Sequence, residues 1–249
     1  MSKIISVINQ KGGVGKTTIT FNLAKGLANK GYKVLAIDND PQGNLTSAFL
    51  EDPRNMSADV LDFYNNNYEK IKPQRIDNNL SIIGANIHLS KISDSGLDVI
   101  FNLREGLEEL KAEFDFVIID CLPSFGYLNM ASLNASDLVL IPTKPAPFAL
   151  EGLKDLFETI KKARRRFNPK LEILGIVLNL VEGRKTVIGE EIESVLREDY
   201  SELVFKTKIN RGVVVEESPV ESQSVIEYNP RSKHAKQFNQ LLDEFLERL

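Results

Sequence analysis

Residues 10–18 read Q-K-G-G-V-G-K-T-T and are the part of the sequence best suited to bind a chain of phosphates. Glycines let the backbone curl so that successive N–H groups point at phosphate oxygens. The helix expected to follow adds the positive end of its dipole. We therefore expect this loop to bind ATP with Mg²⁺.

The loop is a variant of the G-x-x-x-x-G-K-[ST] pattern, because Gln10 stands where that pattern has its first glycine. Lys16 should contact the β- and γ-phosphates, and the Thr17 hydroxyl should bind Mg²⁺ directly. Thr18 can donate to the α-phosphate. The expected nucleotide contacts in the loop are Lys11, Gly12, Gly13, Val14, Gly15, Lys16, Thr17 and Thr18.

Two further segments end in carboxylates. Asp120 closes the apolar run F-V-I-I-D, the Walker B arrangement in which a carboxylate holds Mg²⁺ through water. Asp38 and Asp40 follow another apolar run, in D-N-D-P-Q-G-N. Hydrolysis needs a group that orients the attacking water. We assign that role to Asp40 and place Asp38 nearer the metal, with a simple Asp-Pro-Gly turn as the alternative.

Short apolar runs alternate with segments of helical spacing, which indicates βαβ units and a parallel sheet. The runs are apolar on both faces, as strands between two helix layers are. We predict an α/β fold of the P-loop NTPase type, with a mostly parallel, twisted sheet and helices on both faces. Polar residues that follow the strands should then meet at one edge. The predicted strands are 4–8, 33–37, 80–83, 116–119, 138–141, 173–178 and 203–205, and the predicted helices are 17–29, 97–111, 126–134, 148–167, 185–198 and 234–248.

The whole-chain properties fit one soluble domain over residues 1–249. Its formal net charge of −4 means that any binding of nucleic acid needs a local basic patch. Cys121 is the only cysteine, so no intramolecular disulfide can form, which fits a reducing cytoplasm. No apolar run approaches the roughly 18 residues that a membrane span requires.

The three motifs together resemble the ParA family of DNA-partition ATPases, in the group with a deviant Walker A loop. The loop K-G-G-V-G-K-T lies at 11–17, and the family motif D-x-D-P-Q-G-N lies at 38–44. The family motif D-x-P-P-S is similar to D-C-L-P-S at 120–124, with leucine in place of the first proline. Residues 217–235 are similar to the C-terminal segment of the family.

This resemblance implies several roles. Lys11 matches the signature lysine that reaches the partner's nucleotide in an ATP-sandwich homodimer, and Asp40 matches the residue that positions water. Asn179 matches a position that reads adenine. Arg211 matches a residue implicated in DNA binding, although the family usually has Pro-Arg where this chain has Asn210-Arg211. The resemblance also implies slow ATP hydrolysis, non-specific double-stranded DNA, a centromere-binding ParB-like partner, and a cytoplasmic protein associated with the nucleoid.

Binding to DNA without sequence preference needs several cations aimed at phosphates. The candidates are Lys206, Lys208, Arg211, Arg231, Lys233 and Lys236. A second cluster, K-K-A-R-R-R at 161–166, closes a predicted helix. We favour the interpretation that these cations interact with the helix dipole over the interpretation that they bind DNA.

Three alternatives stay open. A membrane-cycling relative of the MinD type would end in a basic amphipathic helix, whereas residues 237–249 are acidic on their polar face and should pack on the domain. An iron–sulfur reductase would need more thiolates than Cys121 supplies. A nucleotide-gated positioning or regulatory scaffold, with hydrolysis as a timer, overlaps with partition.

Overall fold

The computed structural model describes residues 2–94, 96–124, 126–183 and 187–249. Its strands are β1 (Lys3–Val7), β2 (Val34–Asn39), β3 (Gln74–Arg75), β4 (Leu80–Ile83), β5 (Phe116–Cys121), β6 (Leu138–Thr143), β7 (Glu172–Val181) and β8 (Val204–Asn210). They form one eight-stranded sheet in the order β3-β4-β2-β5-β1-β6-β7-β8.

The sheet is parallel in every pairing except that of β3 with β4. Strand β1 lies between β5 and β6, so the loop that follows β1 sits at the middle of the sheet edge. This arrangement confirms the predicted mostly parallel α/β fold.

Helices cover both faces of the sheet, as predicted. One apolar core lies between the sheet and α1, α2 and the last helix, and the other lies under the helices from α3 to α7. The helices are α1 (Lys16–Asn29), α2 (Asn44–Phe49), α3 (Leu61–Tyr64), α4 (Val99–Leu110), α5 (Tyr127–Ala135), α6 (Ala149–Arg166), α7 (Val187–Tyr200), α8 (Val213–Glu217), α9 (Val225–Tyr228) and α10 (Lys233–Glu247).

Alternation along the strands explains why two cores form. In β1 the side chain of Ile4 enters the core beneath α3 to α7, and that of Ile5 enters the core beneath α1. Successive side chains of a strand point to opposite faces. A strand that is apolar at every position therefore binds a helix layer on each side.

The last helix, α10, packs on the domain, as the sequence predicts. Its buried residues include Phe238, Leu242 and Phe245, which join the core beneath α1. Gly26 of α1 lies so close to Leu242 that any side chain at position 26 would collide with it. No helix in the described ranges is both long and apolar enough to cross a bilayer.

The predicted elements are found, with shifted ends. Strand β8 runs to Asn210, well beyond the predicted 203–205, and β7 spans Glu172–Val181. Of the helix predicted over 185–198, residues 185 and 186 lie outside the described ranges, and α7 ends at Tyr200. Helices α2, α3, α8 and α9 are too short for their periodicity to be read from the sequence.

Candidate nucleotide-binding site

The glycine-rich loop joins β1 to α1 at the carboxyl edge of the sheet. Gly13 and Gly15 take left-handed backbone angles, with φ of 69° and 84°. Such angles are readily adopted by glycine. A side chain on Gly15 would also collide with the amide of Asn179. The sequence therefore needs glycine at position 15 for two separate reasons.

Lys16 is the first residue of α1, and its side chain is almost buried, with 7% of the residue exposed. Its Nζ donates to the carbonyl oxygen of Lys11 at 3.3 Å. Burial lowers the pKa of Lys16, and the nearby charge of Asp120 opposes that shift. This ammonium group is desolvated beside the loop, where a phosphate would restore a strong partner.

Thr17 and Asp120 are in direct contact. The Thr17 hydroxyl donates to a carboxylate oxygen of Asp120 at 2.6 Å. Burial raises the pKa of Asp120 well above its ordinary value, and the charge of Asp38 raises it further. In the sheet register Asp38 of β2 lies directly beside Asp120 of β5. The structure thus brings together all three residues that were predicted to lie near the metal.

Both carboxylate oxygens of Asp38 have hydrogen-bond partners. One of its oxygens accepts from the backbone and the hydroxyl of Thr46, each at 2.8 Å, and the other accepts from the backbone of Asp40 at 3.2 Å. Burial raises the pKa of Asp38 to about 6. Its place near the metal stays a prediction. In the structure, Asp38 accepts hydrogen bonds from Thr46 of α2.

Asp40 faces the loop across a cavity of about 390 Å³. One of its oxygens accepts from the backbone N–H of Gln42 at 3.0 Å, which fixes the turn that follows β2. The cavity is lined by Gly12, Gly13, Gly15, Lys16, Thr17, Thr18, Phe21, Asp40, Asn44, Ala48, Pro123 and Pro219.

The sequence motifs did not single out several residues of this lining. Phe21 and Ala48 belong to helices that pack against each other. Pro123 follows Asp120 within a recognised motif, so its place could have been inferred. Pro219 comes from a distant part of the chain, and no local pattern marks it.

Lys11 points away from this cavity. Its Nζ donates to the carbonyl oxygen of Pro147 at 3.2 Å and stands 5.7 Å from the centroid of the Phe148 ring. Phe148 is 73% exposed and has a left-handed backbone, with φ of 62°. The predicted signature lysine is therefore held against the start of α6 in its own chain.

Asn179 lies beneath the loop, at the edge formed by β7. Its side-chain nitrogen donates to the carbonyl oxygen of Val14 at 2.8 Å. Its side-chain oxygen is buried and, within the described part of the chain, has no hydrogen-bond partner. The amide therefore supports the loop, and its contact with adenine stays a prediction.

The predicted DNA-binding cations fall into two groups. Arg211 follows β8, and its carbonyl oxygen lies 3.4 Å from the ring of His234 in the first turn of α10. Arg231, Lys233 and Lys236 occupy that same end of α10 and are exposed. These four cations therefore share the edge of the sheet that carries the glycine-rich loop.

Lys206 and Lys208 lie away from this group. The backbone of Lys206 is bonded to Glu244 near the far end of α10, more than two turns from His234. The Lys208 ammonium group pairs with Glu193 at 2.9 Å. The structure does not bring Lys206 together with Arg211, because β8 is extended and separates them along its length.

Comparisons with known proteins find relatives over nearly the whole chain. A family model described as an AAA domain matches residues 2–173. The chain is 36% identical over 250 residues to the sporulation initiation inhibitor protein Soj of Bacillus subtilis, covering 98% of each. It is 34% identical over 257 residues to the chromosome partitioning protein ParA of Myxococcus xanthus, covering 100% of this chain and 89% of that protein.

Among solved structures, the chain is similar to a cobyrinic acid a,c-diamide synthase of Mycobacterium smegmatis with a bound ATP analogue and magnesium. The TM-score is 0.83 with 29% identity, covering 99% of this chain and 95% of that one. The similarity in fold therefore extends over the whole sheet and both helix layers.

Proposed function

The chain belongs to the ParA family of partition ATPases, and we propose that it uses ATP to control a dimer that holds and releases DNA. ATP and Mg²⁺ join two copies face to face, and this dimer binds duplex DNA without sequence preference. A centromere-binding ParB-like protein stimulates its slow hydrolysis. The protein then acts in the cytoplasm, on the nucleoid, to move a plasmid or a chromosome.

The observation that carries the proposal is the meeting of Lys16, Thr17 and Asp40 at one cavity. A buried ammonium group, a hydroxyl at a helix start and a carboxylate across the gap are the groups that phosphoryl transfer needs. Lys16 would offset negative charge on the phosphate oxygens. Asp40 would orient the attacking water and accept its hydrogen bond.

The residues present fit Mg²⁺. This ion prefers oxygen ligands and is usually held by one or two carboxylates together with phosphates. Thr17 and Asp120 supply a hydroxyl and a carboxylate that already lie 2.6 Å apart. Within the described ranges no group of three or more His, Cys, Asp or Glu side chains could hold a metal alone. Thr17 and Asp120 would therefore hold the ion with the nucleotide, and the ion would neutralise charge on the phosphates.

The orientation of Lys11 supports a role outside its own subunit. Its ammonium group lies on α6, beside the exposed Phe148, and it does not line the cavity that Lys16 enters. A second copy that approached this edge could receive Lys11 at its own phosphates. Hydrolysis would then depend on assembly, because the cation that completes the site comes from the partner.

The cations at the same edge support the DNA contact. Arg211 and the first turns of α10 lie beside each other, as the bond with His234 shows. In a dimer joined through this edge, the two sets would form one larger basic surface. Several phosphate contacts made together give binding that falls steeply with salt.

A regulatory scaffold of the MinD type is the alternative function. Membrane cycling by α10 is disfavoured, because its apolar face is buried against the domain. An ATPase that acts only as a timer, without transporting DNA, would differ from a partition ATPase only in its partners. Turnover that duplex DNA and a ParB-like protein leave unchanged would favour the scaffold.

Analytical ultracentrifugation with AMP-PNP and Mg²⁺ tests the proposal directly. The wild type should pass from monomer to dimer with AMP-PNP and not with ADP. Lys16→Ala should remain a monomer, because it loses nucleotide. Lys33→Ala, an exposed lysine just before β2, should behave as the wild type. A wild-type protein that stays monomeric at saturating AMP-PNP would overturn the proposal.

A further inference from the structure

The end of α6 that lies far from the nucleotide cavity borders a groove of about 480 Å³. Its floor is apolar and is made by Phe157, Ile160 and Ile173. Its rim on the α6 side carries three cations, Lys161, Arg164 and Arg165, and one carboxylate, Glu158. This volume lies within the range of about 300–1,000 Å³ that is typical of binding pockets.

The floor of the groove is partly exposed to solvent. Ile160 is buried, whereas Phe157 and Ile173 are only partly covered. The centroid of the Tyr200 ring, at the end of α7, lies 5.0 Å from that of the Phe157 ring and covers part of Phe157. An apolar side chain inserted here would cover surface that the chain itself leaves in water, which is favourable.

The rim charges are largely uncompensated. Lys161 pairs with Glu158 at 3.4 Å, and both groups are exposed. Arg164 and Arg165 have no salt bridge and no side-chain hydrogen bond to any residue that the structure describes. These cations stand out on a chain whose net charge is −4.

The helix dipole explains only part of this cluster. Arg164 and Arg165 lie in the last turn of α6, where cations interact favourably with the carbonyl end of the helix. The carbonyl oxygen of Ala163 accepts from the backbone N–H groups of Phe167 and Asn168. The dipole interpretation gives no reason for the apolar groove beside the charges.

We propose that this groove docks an acidic segment of a partner protein that carries a bulky apolar side chain. Acidic groups would pair with Arg164 and Arg165, and the apolar group would fill the space over Phe157. The phosphate backbone of duplex DNA could pair with these cations, but it carries no apolar group that would cover the floor of the groove.

The position of the groove makes it independent of the proposed dimer. Helix α6 begins beside Lys11 and has 18 residues, which corresponds to a length of about 27 Å. Its basic end is therefore at the opposite edge of the sheet from the nucleotide. Two copies joined through their nucleotide edges leave both grooves exposed, so docking should occur with or without ATP.

Fluorescence anisotropy with a labelled synthetic peptide tests this site. The probe carries a leucine–phenylalanine pair between runs of aspartate and glutamate. One control peptide replaces the acids by asparagine and glutamine, and another replaces the apolar pair by alanines. The protein variant is R164Q/R165Q, and the matched control is K72Q/K154Q, which removes two exposed lysines outside the groove.

We expect the wild type to bind the acidic apolar peptide equally well with AMP-PNP, with ADP and with no nucleotide. R164Q/R165Q should bind it at least about tenfold more weakly, and both control peptides should bind weakly. K72Q/K154Q should match the wild type.

Three results would overturn the site. The first is no binding by the wild type, and the second is an equal loss in K72Q/K154Q. The third is a combination of two observations: the peptide does not bind, and R164Q/R165Q binds duplex DNA more weakly than the wild type. That result would mean that Arg164 and Arg165 bind nucleic acid. Dimerisation with AMP-PNP, measured separately, stays intact in R164Q/R165Q whether or not the peptide binds.

Discussion

The ammonium group of Lys11 donates a hydrogen bond to the carbonyl oxygen of Pro147 in its own chain, at 3.2 Å. Gly152 leaves room for the Lys11 side chain, because a Cβ there would stand 3.3 Å from the Lys11 Cε, a tight contact. The exposed ring of Phe148 lies on the same side and adds a cation–π contact. Lys11 therefore has a defined resting place, which it must leave before it can serve a second copy.

We predict that Lys11→Ala separates nucleotide binding from assembly. Affinity for AMP-PNP, measured by calorimetry, should stay within about threefold of the wild type, because Lys11 does not line the cavity. Dimerisation should fail, and turnover should fall by about a hundredfold or more, as loss of a cation supplied in trans predicts. Lys144→Ala, in the loop after β6, is the control. A Lys11→Ala dimer with full turnover would exclude the role in trans.

We predict that Asp40→Ala binds ATP and forms a long-lived dimer on DNA. Asp40 lies at the cavity with only 8% of the residue exposed, and without its carboxylate the attacking water is not oriented. Phosphate release should slow by about a hundredfold, and DNA dissociation should slow in parallel. Asp155→Ala, an exposed change on α6, should leave both rates unchanged. Rapid turnover by Asp40→Ala would remove Asp40 from this role.

We predict opposite effects from the two partners of one surface ion pair. Arg211 and Glu216 lie 3.4 Å apart, and both are more than half exposed. Arg211→Glu should abolish binding of random duplex DNA while sparing AMP-PNP binding. Glu216→Gln should strengthen DNA binding by a few-fold, because it frees Arg211 and removes a charge that repels phosphate.

Salt titrations of DNA binding provide the check on this pair. Loss of Arg211 should lower the slope of log affinity against log salt by about one. Lys206→Gln should have a smaller effect, since Lys206 lies beside Glu244 and away from Arg211. Unchanged retention of DNA by Arg211→Glu in a gel shift would contradict the assignment of this edge.

We predict that Cys121 resists alkylation in the native protein across pH 7 to 9. Burial raises the pKa of its thiol to about 12, so the reactive thiolate is scarce. At pH 9 an ordinary thiol with a pKa of about 8.5 is mostly thiolate, whereas a thiol with a pKa of about 12 is thiolate to only about one part in a thousand. Iodoacetamide labelling followed by mass spectrometry should show slow reaction throughout this pH range, with no levelling off near pH 8.5, and rapid reaction in urea.

The same shift has a consequence for stability. The neutral thiol supports the fold fully below the unfolded pKa of about 8.5, and that support is lost as the pH rises toward 12. Cys121→Ala should therefore lose less stability than the wild type between those limits in urea titrations. Native labelling that follows a pKa near 8.5 would mean that the thiol is not buried as described.

The parts of the site that follow strand ends could be predicted from the sequence. Apolar runs that stop at Asp38 and Asp120 mark adjacent strands, and parallel strands bring such ends to one edge. The loop at 11–18 has a fixed spacing of its glycine, lysine and threonine residues, so the helix that begins at its end could also be predicted. Local pattern is enough where function depends on the ends of regular elements.

Contacts between distant segments could not be predicted. The bond from Asn179 to Val14 joins residues 165 positions apart, and nothing near Asn179 indicates it. Thr46 binds Asp38 from α2, a helix of six residues that is too short to be recognised from the sequence. Lys206 was grouped with Arg211 by spacing alone, whereas the extended path of β8 separates them. The resting place of Lys11 depends on a left-handed Phe148, which no propensity favours.

The packing of α10 against α1 has a consequence for synthesis of the chain. Helix α1 carries Lys16 and Thr17 at its start, yet part of its covering, including Leu242 over Gly26, comes from α10. A ribosome makes α1 more than two hundred residues before it makes Leu242. For most of its synthesis, a nascent chain thus contains the phosphate-binding loop while α1 lacks the part of its covering that α10 provides. Nucleotide binding should therefore appear late, when α10 emerges, and a growing chain would be kept from assembling on DNA beside its own ribosome.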